Sequence, residues 1–285
     1  MPSKIGIHTR ENAFIHAMPC WLPGNNAAGI KWVSGYPENQ TKGLPYIAGL
    51  LILNDPETGL PVAIMDCSWI TAMRTGAVSG LAAKYAANPK SEVLGILGCG
   101  VQGRTNIQAI LATFKNIKRV YAFDLYPDVT ENFVTEQSEK YDLEIIGVNT
   151  HKKAVVESDI LITAGPIVLT PDGIIEKQWL KDGVTIMPVD FDCMFKPYAL
   201  EKTMDKYFTD DTNQYKKFKS MGYFPNGPSA PPELADVITG KIPGRIDKNE
   251  KIVSMNIGMA LDDMPTANQI YNKAIEKGIG QILPL

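Results

Sequence analysis

The stretch that decides the fold is residues 94–103, which read Leu-Gly-Ile-Leu-Gly-Cys-Gly-Val-Gln-Gly. It contains the pattern Gly-x-Gly-x-x-Gly, between an apolar run that predicts a strand and a segment with helical spacing. That is the context in which this pattern binds dinucleotides. Gly98 permits a tight turn, Gly100 lets the backbone approach a pyrophosphate, and Gly103 allows close packing of helix on strand. The start of the helix then favours the anion.

The next predicted strand, Val120–Phe123, is followed by Asp124. A carboxylate at this place can accept hydrogen bonds from ribose hydroxyls and repels a 2′-phosphate. Residues 125–127 contain no Arg that could neutralise such a phosphate. The sequence therefore favours NAD(H) over NADP(H) as the cofactor. The alternative is a glycine-rich turn that holds no ligand.

Strands and helices alternate from about residue 89 to residue 189, which predicts a parallel, doubly wound sheet of the α/β class. Residues 1–66 are rich in Gly, Pro and Asn and predict strands, with a hairpin-like turn at residues 55–59. An amphipathic helix is predicted at Asp263–Lys277. We therefore expect a Rossmann-like sheet inserted between an N-terminal strand-rich part and a C-terminal helix. Residues after 190 are expected to be loop-rich, with 220–232 as a surface crossing rather than a lid.

Composition excludes several classes of protein. The 285 residues include 28 Lys and Arg and 31 Asp and Glu, a net charge of −3, which argues against nucleic acid as a partner. No apolar segment approaches the roughly 18 residues of a membrane span, and the N-terminus lacks a secretory signal. The four cysteines form no CxxC pair and there are three histidines, so neither a zinc site nor a disulfide framework is expected. Reduced thiols point to a cytoplasmic protein.

Four charged residues outside the glycine-rich loop are candidates for chemistry. Lys31 lies in an apolar strand, where it either reaches water along the surface or is buried and functional. Arg74 is the one charge in the segment Ile70–Ala77 and either binds a carboxylate or only packs. Asp190 and Asp192 follow a predicted strand, at the edge where open α/β sheets bind ligands. Either one is a general acid or base, or both are turn residues.

Together these signals resemble the ornithine cyclodeaminase/mu-crystallin family over essentially the whole chain. The family includes ornithine cyclodeaminases, ketimine reductases, and alanine and related amino-acid dehydrogenases. Its non-enzymatic members are a lens crystallin and a hormone-binding protein. The matching stretches are residues 18–19, 29–39, 55–61, 70–77 with Arg-Thr-Gly-Ala, 98–102 with Gly-x-Gly-x-Gln, 189–192 and 258–263.

The resemblance implies roles for individual residues. Lys31 matches the Lys that contacts substrate and transfers protons, and Arg74 matches the Arg that holds the substrate carboxylate beside the cofactor. Asp192 matches the acid/base Asp better than Asp190 does, because Cys193 follows it as in the cyclodeaminases. Lys4 stands where the family has a second carboxylate-binding Arg, and Lys cannot offer the same planar fork. Further expected contacts are Ile257 to substrate, and Arg74, Val101, Gln102, Gly165, Val189 and Gly258 to the cofactor.

The implied organisation is a dinucleotide-binding domain at 89–256 and a substrate-binding and dimerisation domain at 1–88 plus 257–285. Members of the family usually have a longer segment before the position of Lys4, forming a helix and a strand of that domain. A homodimer is expected, and no metal.

The leading hypothesis is an NAD(H)-dependent amino- or imino-acid oxidoreductase, either an L-amino acid dehydrogenase or an imine reductase. The alternative is ornithine cyclodeaminase, a lyase that converts L-ornithine to L-proline and ammonia with NAD as a catalytic cofactor. A third hypothesis is a non-catalytic binding protein of the crystallin type.

Overall fold

The structure is a computed structural model that describes residues 1–284; residue 285, the last of the predicted C-terminal range, lies outside the described residues. The chain divides into two compact units. The first unit contains Met1–Arg74 and the residues from Gly258 onward, and the second contains Thr75–Ile257. The α-helices are α1 (Ser68–Ala86), α2 (Val101–Thr113), α3 (Pro127–Lys140), α4 (His151–Glu157), α5 (Thr212–Ser220), α6 (Leu234–Ile238) and α7 (Ala260–Glu276).

The first unit contains a five-stranded antiparallel sheet in which sequential strands are neighbours, in the order β1-β2-β3-β4-β5. The predicted turn at residues 55–59 joins β4 to β5, where the Asp55 carboxylate accepts hydrogen bonds from Glu57 N and Thr58 Oγ1 at 2.9 Å. The strands are β1 (Ile5–Ile7), β2 (Phe14–Leu22), β3 (Ala27–Gly35), β4 (Ile47–Asn54) and β5 (Pro61–Asp66).

The two faces of this sheet differ because side chains alternate along each strand. Met18, Lys31 and Leu51 lie opposite one another in β2, β3 and β4, and all three are buried. Helix α7 packs against this face, with Met264 buried in the same apolar cluster. Trp32, the neighbour of Lys31, points to the other face and is exposed. The buried face therefore has a lysine at its centre.

The second unit contains a seven-stranded parallel sheet in the order β11-β12-β10-β9-β6-β7-β8. The predicted doubly wound α/β sheet is confirmed. The strand order reverses between β6 and β9, and ligands of such sheets bind at the carboxyl ends of the strands at this switch point. The strands are β6 (Val93–Leu97), β7 (Arg119–Phe123), β8 (Glu144–Gly147), β9 (Ile160–Thr163), β10 (Thr185–Pro188), β11 (Lys206–Thr209) and β12 (Ile252–Met255).

Both faces of the parallel sheet are buried, as its apolar strands predict. Leu161 belongs to one core cluster, whereas its neighbours Ile160 and Ile162 belong to another. All four cysteines are buried and unpaired, as expected of reduced structural thiols. Among the described residues, no helix combines the length and apolarity that crossing a membrane requires.

The segment after residue 190 is more ordered than predicted, since it contains β11, α5, α6 and β12. Pro225, Pro228, Pro231 and Pro232 interrupt this part of the sequence, which lacks the regular alternation of strands and helices that revealed the earlier short strands. The expectation that 220–232 is only a surface crossing is wrong, because Phe224 and Asn226 are buried. Helix α7 begins at Ala260 rather than Asp263, so Asp263 lies within its first turn.

Candidate functional site

The glycine-rich loop has the geometry that its sequence predicts. Gly98 has φ +99°, and a Cβ there would lie 2.5 Å from Ala164 O. A Cβ on Gly103 would lie 2.3 Å from Gly98 O, whereas one on Gly100 would meet nothing within 4 Å. Gly98 and Gly103 are therefore required for packing, while Gly100 borders open space. Gly100 is also the N-cap of α2 and provides no side-chain cap, so the first amides of the helix are available to an anion.

Asp124 is held against this loop. Its Oδ2 accepts a hydrogen bond from Cys99 N at 2.8 Å, and its Oδ1 accepts one from Tyr126 N at 3.1 Å. Arg104, which the sequence reasoning missed, donates to Cys99 O and forms an ion pair with Glu136 at 2.7 Å. Each Asp124 oxygen keeps a lone pair for a further donor. The open loop and the carboxylate fit the pyrophosphate and ribose of a dinucleotide.

The other predicted cofactor residues of the second unit lie along the same sheet. Val101 is exposed at the start of α2, and Gln102 follows it. Gly165 comes after β9, where a Cβ would lie 2.7 Å from Met194 Cε. Val189 follows β10 and donates its amide to Thr163 O at 2.7 Å. The carboxyl ends of neighbouring parallel strands thus bring these residues to one edge.

Asp190 and Asp192 lie at the same edge, after β10, and both are fully buried. Asp190 Oδ1 accepts a hydrogen bond from Thr163 Oγ1 at 2.6 Å. Burial raises the pKa of Asp190 to about 6. Asp192 Oδ2 accepts from Asn226 N at 3.1 Å, while Oδ1 has no hydrogen-bond partner among residues 1–284.

The environment of Asp192 favours its protonated form. Burial, with a smaller contribution from the charge of Asp190, raises the pKa of Asp192 to about 8. The Asn226 amide and the charge of Lys219 act in the opposite direction. A carboxyl group with this pKa is mostly protonated at neutral pH and can act as a general acid there.

In the first unit, Lys31 and Arg74 meet at a carboxylate that the sequence reasoning did not assign. Lys31 Nζ lies 2.7 Å from the carboxylate of Asp263, and Arg74 Nε lies 3.1 Å from it. Lys31 and Asp263 are fully buried. Burial, and then the charge of Arg74, lower the pKa of Lys31 to about 8, against the effect of Asp263. The alternative in which Lys31 reaches water is wrong.

Gly258 makes room for Arg74. It has φ +87°, and a Cβ on it would lie 2.3 Å from Arg74 Nη1. The guanidinium group therefore lies directly on the backbone that precedes α7. The Asp262 carboxylate accepts from Met259 N at 3.3 Å, which places the neighbouring Asp263 on the inner side of the first turn.

Lys4 reaches the same face of the sheet as Lys31. Ile5 pairs with Ala17 and is exposed, so the preceding Lys4 points to the opposite, buried face and is itself buried. Ile257 is buried in an apolar cluster of the second unit. The first unit thus brings together Lys31, Arg74 and Gly258, and the second places Asp124, Asp192 and the glycine-rich loop along one edge of its sheet.

Comparisons with known proteins cover the whole chain. The family model described as the ornithine cyclodeaminase/mu-crystallin family matches residues 1–278. N-((2S)-2-amino-2-carboxyethyl)-L-glutamate dehydrogenase of Staphylococcus aureus (strain NCTC 8325 / PS 47) is 34% identical over 95% of this chain and 82% of its own.

Two solved structures are also similar. One is Thermococcus litoralis Delta(1)-pyrroline-2-carboxylate reductase in complex with NADH and L-proline, with a TM-score of 0.84 and 32% identity over 99% of this chain and 89% of that chain. The other is an archaeal alanine dehydrogenase dimer with bound NAD, with a TM-score of 0.85 and 30% identity over 100% and 88% of the two chains.

Proposed function

Because the chain belongs to the ornithine cyclodeaminase/mu-crystallin family, we propose that it is an NAD(H)-dependent oxidoreductase acting at the α-carbon of an amino or imino acid. One observation carries this proposal. The glycine-rich loop, whose geometry suits a dinucleotide, lies along the same edge of one parallel sheet as Asp192, a buried carboxyl group of raised pKa. The dehydrogenase and reductase activities of the similar proteins support it.

The second unit would bind the cofactor. The α2 amides and Gly100 would hold the pyrophosphate, and Asp124 would accept hydrogen bonds from the ribose hydroxyls. The same carboxylate disfavours a 2′-phosphate, so the cofactor is NAD(H) rather than NADP(H). NAD(H) supplies or accepts the hydride when bound.

The first unit would bind the substrate carboxylate. Arg74 offers a planar fork for it, and Lys31 adds a second donor. Asp263 fixes both cations through the ion pairs at 2.7 and 3.1 Å. Lys4 would add a point charge from the same face. Orienting the carboxylate in this way orients the α-carbon that it is attached to.

Asp192 would handle the proton of the reacting nitrogen. In the reductive direction, its protonated carboxyl group would donate to the imine nitrogen. In the oxidative direction, its carboxylate would accept a proton from the amine. A pKa of about 8 makes both forms accessible near neutral pH.

The exposed face of the five-stranded sheet supports a homodimer as the working form. This face carries large apolar side chains on adjacent strands, and contiguous exposed apolar surface of this kind marks an interface. Trp32 is 60% exposed, Leu50 52% and Ile64 61%. The archaeal alanine dehydrogenase is a dimer. We expect Leu50→Asp to shift the protein from dimer to monomer in analytical ultracentrifugation, and a wild-type monomer would contradict the proposal.

The function is tested by following NADH oxidation by the full chain with Δ1-pyrroline-2-carboxylate and with pyruvate plus ammonia. NADH formation from L-proline, L-alanine or L-ornithine tests the reverse direction.

We expect turnover with at least one substrate and a loss of turnover of at least about 100-fold in Asp192→Asn, with NADH binding retained. Asp142→Asn, an exposed carboxylate of the same unit, is the control. No turnover with any of these substrates contradicts the proposal, and proline from ornithine without net NADH supports the lyase alternative.

A further inference from the structure

A lysine at the end of α5 holds the loop that contacts Asp192. Lys219 Nζ donates hydrogen bonds to Phe224 O at 2.7 Å and to Gly227 O at 2.8 Å. One ammonium group thus holds two carbonyls, three residues apart, against the last turn of its own helix. We call residues 224–227 the clamped loop.

The clamped loop in turn holds the turn that follows β10. Asn226 is buried, its backbone amide donates to Asp192 Oδ2 at 3.1 Å, and its Nδ2 donates to Phe195 O at 3.2 Å. Asn226 therefore contacts this turn at both ends. Any displacement of the clamped loop would move the amide that binds Asp192.

The backbone in this region is strained and needs such support. Phe191 and Asp192 both have φ +60°, and Phe224 has φ +57°. L-residues other than Asn and Asp rarely adopt this left-handed conformation, and it persists only where surrounding contacts enforce it. The rings of Phe191 and Phe224 lie 5.0 Å apart, so the strained residues of the two segments pack together.

Lys219 is also the cation that acts on Asp192. Its charge lowers the pKa of that carboxyl group, whereas burial and the charge of Asp190 raise it. The phenols of Tyr207 and Tyr215 and the thiol of Cys193 face Asp192 as well, and burial raises the pKa of each of the three. These three groups are therefore neutral at the pH values at which Asp192 titrates.

We propose that Lys219 is a positioning residue, which clamps Phe224 and Gly227 so that Asn226 fixes the place from which Asp192 transfers its proton. The inference rests on the proposed function, because it takes Asp192 as the proton-transferring group. Lys219 and Asn226 touch neither substrate nor cofactor in this assignment. They act through the carboxyl group.

The test is Lys219→Met, which keeps the length of the side chain and removes its charge and donors. Lys219→Arg keeps the charge, and Lys216→Met, at an exposed position of the same helix, is the matched control. We expect kcat for imine reduction to fall about tenfold in Lys219→Met, with KM for NADH unchanged. The pKa of Asp192 that the pH dependence of kcat reports should rise by about half a unit or more, because a cation and an amide contact are both lost. Lys219→Arg should restore most of the wild-type profile.

A second measurement does not depend on turnover. The infrared band of the protonated Asp192 carboxyl group, isolated by subtracting Asp192→Asn spectra, is titrated in wild type and in Lys219→Met. An upward shift in Lys219→Met follows already from the loss of the charge, whereas an unchanged midpoint overturns the clamp. Asn226→Ala, titrated in the same way, separates the two effects, because it removes the contact to Phe195 O and keeps the charge of Lys219. An upward shift in Asn226→Ala supports the clamp, and a wild-type midpoint in that variant overturns it.

The two proposals fail in different ways. If Asp192→Asn retains full turnover, the assignment of Asp192 is wrong and the proposed function has to be revised. If Asp192→Asn is inactive while Lys219→Met or Asn226→Ala has the wild-type infrared midpoint, the proposed function is retained and the clamp is wrong.

Discussion

The first unit buries Asp263 between two cations, whereas the second buries Asp190 and Asp192 beside each other. Asp263 has Lys31 Nζ at 2.7 Å and Arg74 Nε at 3.1 Å. The pair in the second unit has hydroxyl and amide donors instead, and burial raises the pKa of both carboxyl groups. Equal burial therefore has opposite consequences: the first unit keeps an ionised cluster that suits binding of a carboxylate, and the second keeps a proton.

The largest expected effect comes from Asp263→Asn, which tests the contrast between the two units. It leaves Lys31 and Arg74 without their shared counter-ion, and breaking a buried ion pair costs about 3–5 kcal/mol. We expect the free energy of unfolding, measured by urea titration, to fall by that amount.

The matched control for Asp263→Asn is Glu92→Gln. It breaks the Lys118–Glu92 pair, which is as short, at 2.6 Å, but has side chains that are 70% and 52% exposed. An exposed pair contributes less than about 1 kcal/mol. Equal losses in the two variants would contradict the view that the cluster around Asp263 is ionised.

The second prediction concerns pH and the proton held by Asp192. Its pKa is about 8 in the folded chain and about 3.9 unfolded, so the folded state binds the proton more tightly. The resulting stabilisation is complete below pH 4 and is lost as the pH rises to 8, by up to about 1.4 kcal/mol per unit. In urea titrations at pH 5, 6, 7 and 8, Asp192→Asn should remove the slope between pH 6 and 8, whereas the raised pKa of Asp190 leaves part of it below pH 6.

The lowered pKa of Lys31 predicts the opposite dependence of stability on pH, at higher pH values. Its pKa is about 8 when folded and about 10.4 unfolded, so the folded state binds the proton less tightly. Stability should rise between pH 8 and 10.4, and Lys31→Met should remove that rise. The contrast is wrong if stability depends on pH in the same way in wild type and Asp192→Asn below pH 8. It is also wrong if wild type and Lys31→Met show the same dependence above pH 8.

The third and smallest effect sharpens the role of Arg74. Gly258→Ala forces a left-handed alanine and a Cβ at 2.3 Å from Arg74 Nη1. Gly240→Ala imposes a similar φ of +75° with nothing within 4 Å. Both should lose about 1 kcal/mol of stability. Only Gly258→Ala should raise KM for the amino or imino acid, by about tenfold, or 1.4 kcal/mol. A wild-type KM in Gly258→Ala would contradict the assignment of Arg74.

The sequence predicted the parallel sheet well, because β6, β7 and β8 are each followed by a helix and β9 and β10 are short buried runs. The glycine-rich loop and Asp124 were found for the same reason, since their spacing is local. β11 and β12 were missed because the Pro-rich segment around them lacks the regular alternation of strands and helices that revealed the equally short β8, β9 and β10. Asp263 was not assigned because an acid in the first turn of a helix is explained equally well by the helix dipole. The side chain of Asp263 points inward because it pairs with Lys31, which lies 232 residues away in the chain.

That separation has a consequence for the order in which the protein is made. A ribosome that has added Ile257 has completed the second unit, whereas the first still lacks α7 and Asp263. Domains generally fold as units during synthesis, so the parallel sheet can form while the buried face of the antiparallel sheet remains uncovered. The ion pair between Lys31 and Asp263 can therefore form only after the whole second unit has been synthesised. Premature termination after Ile257 would leave a nascent chain with a finished nucleotide fold and an ionic cluster lacking its anion.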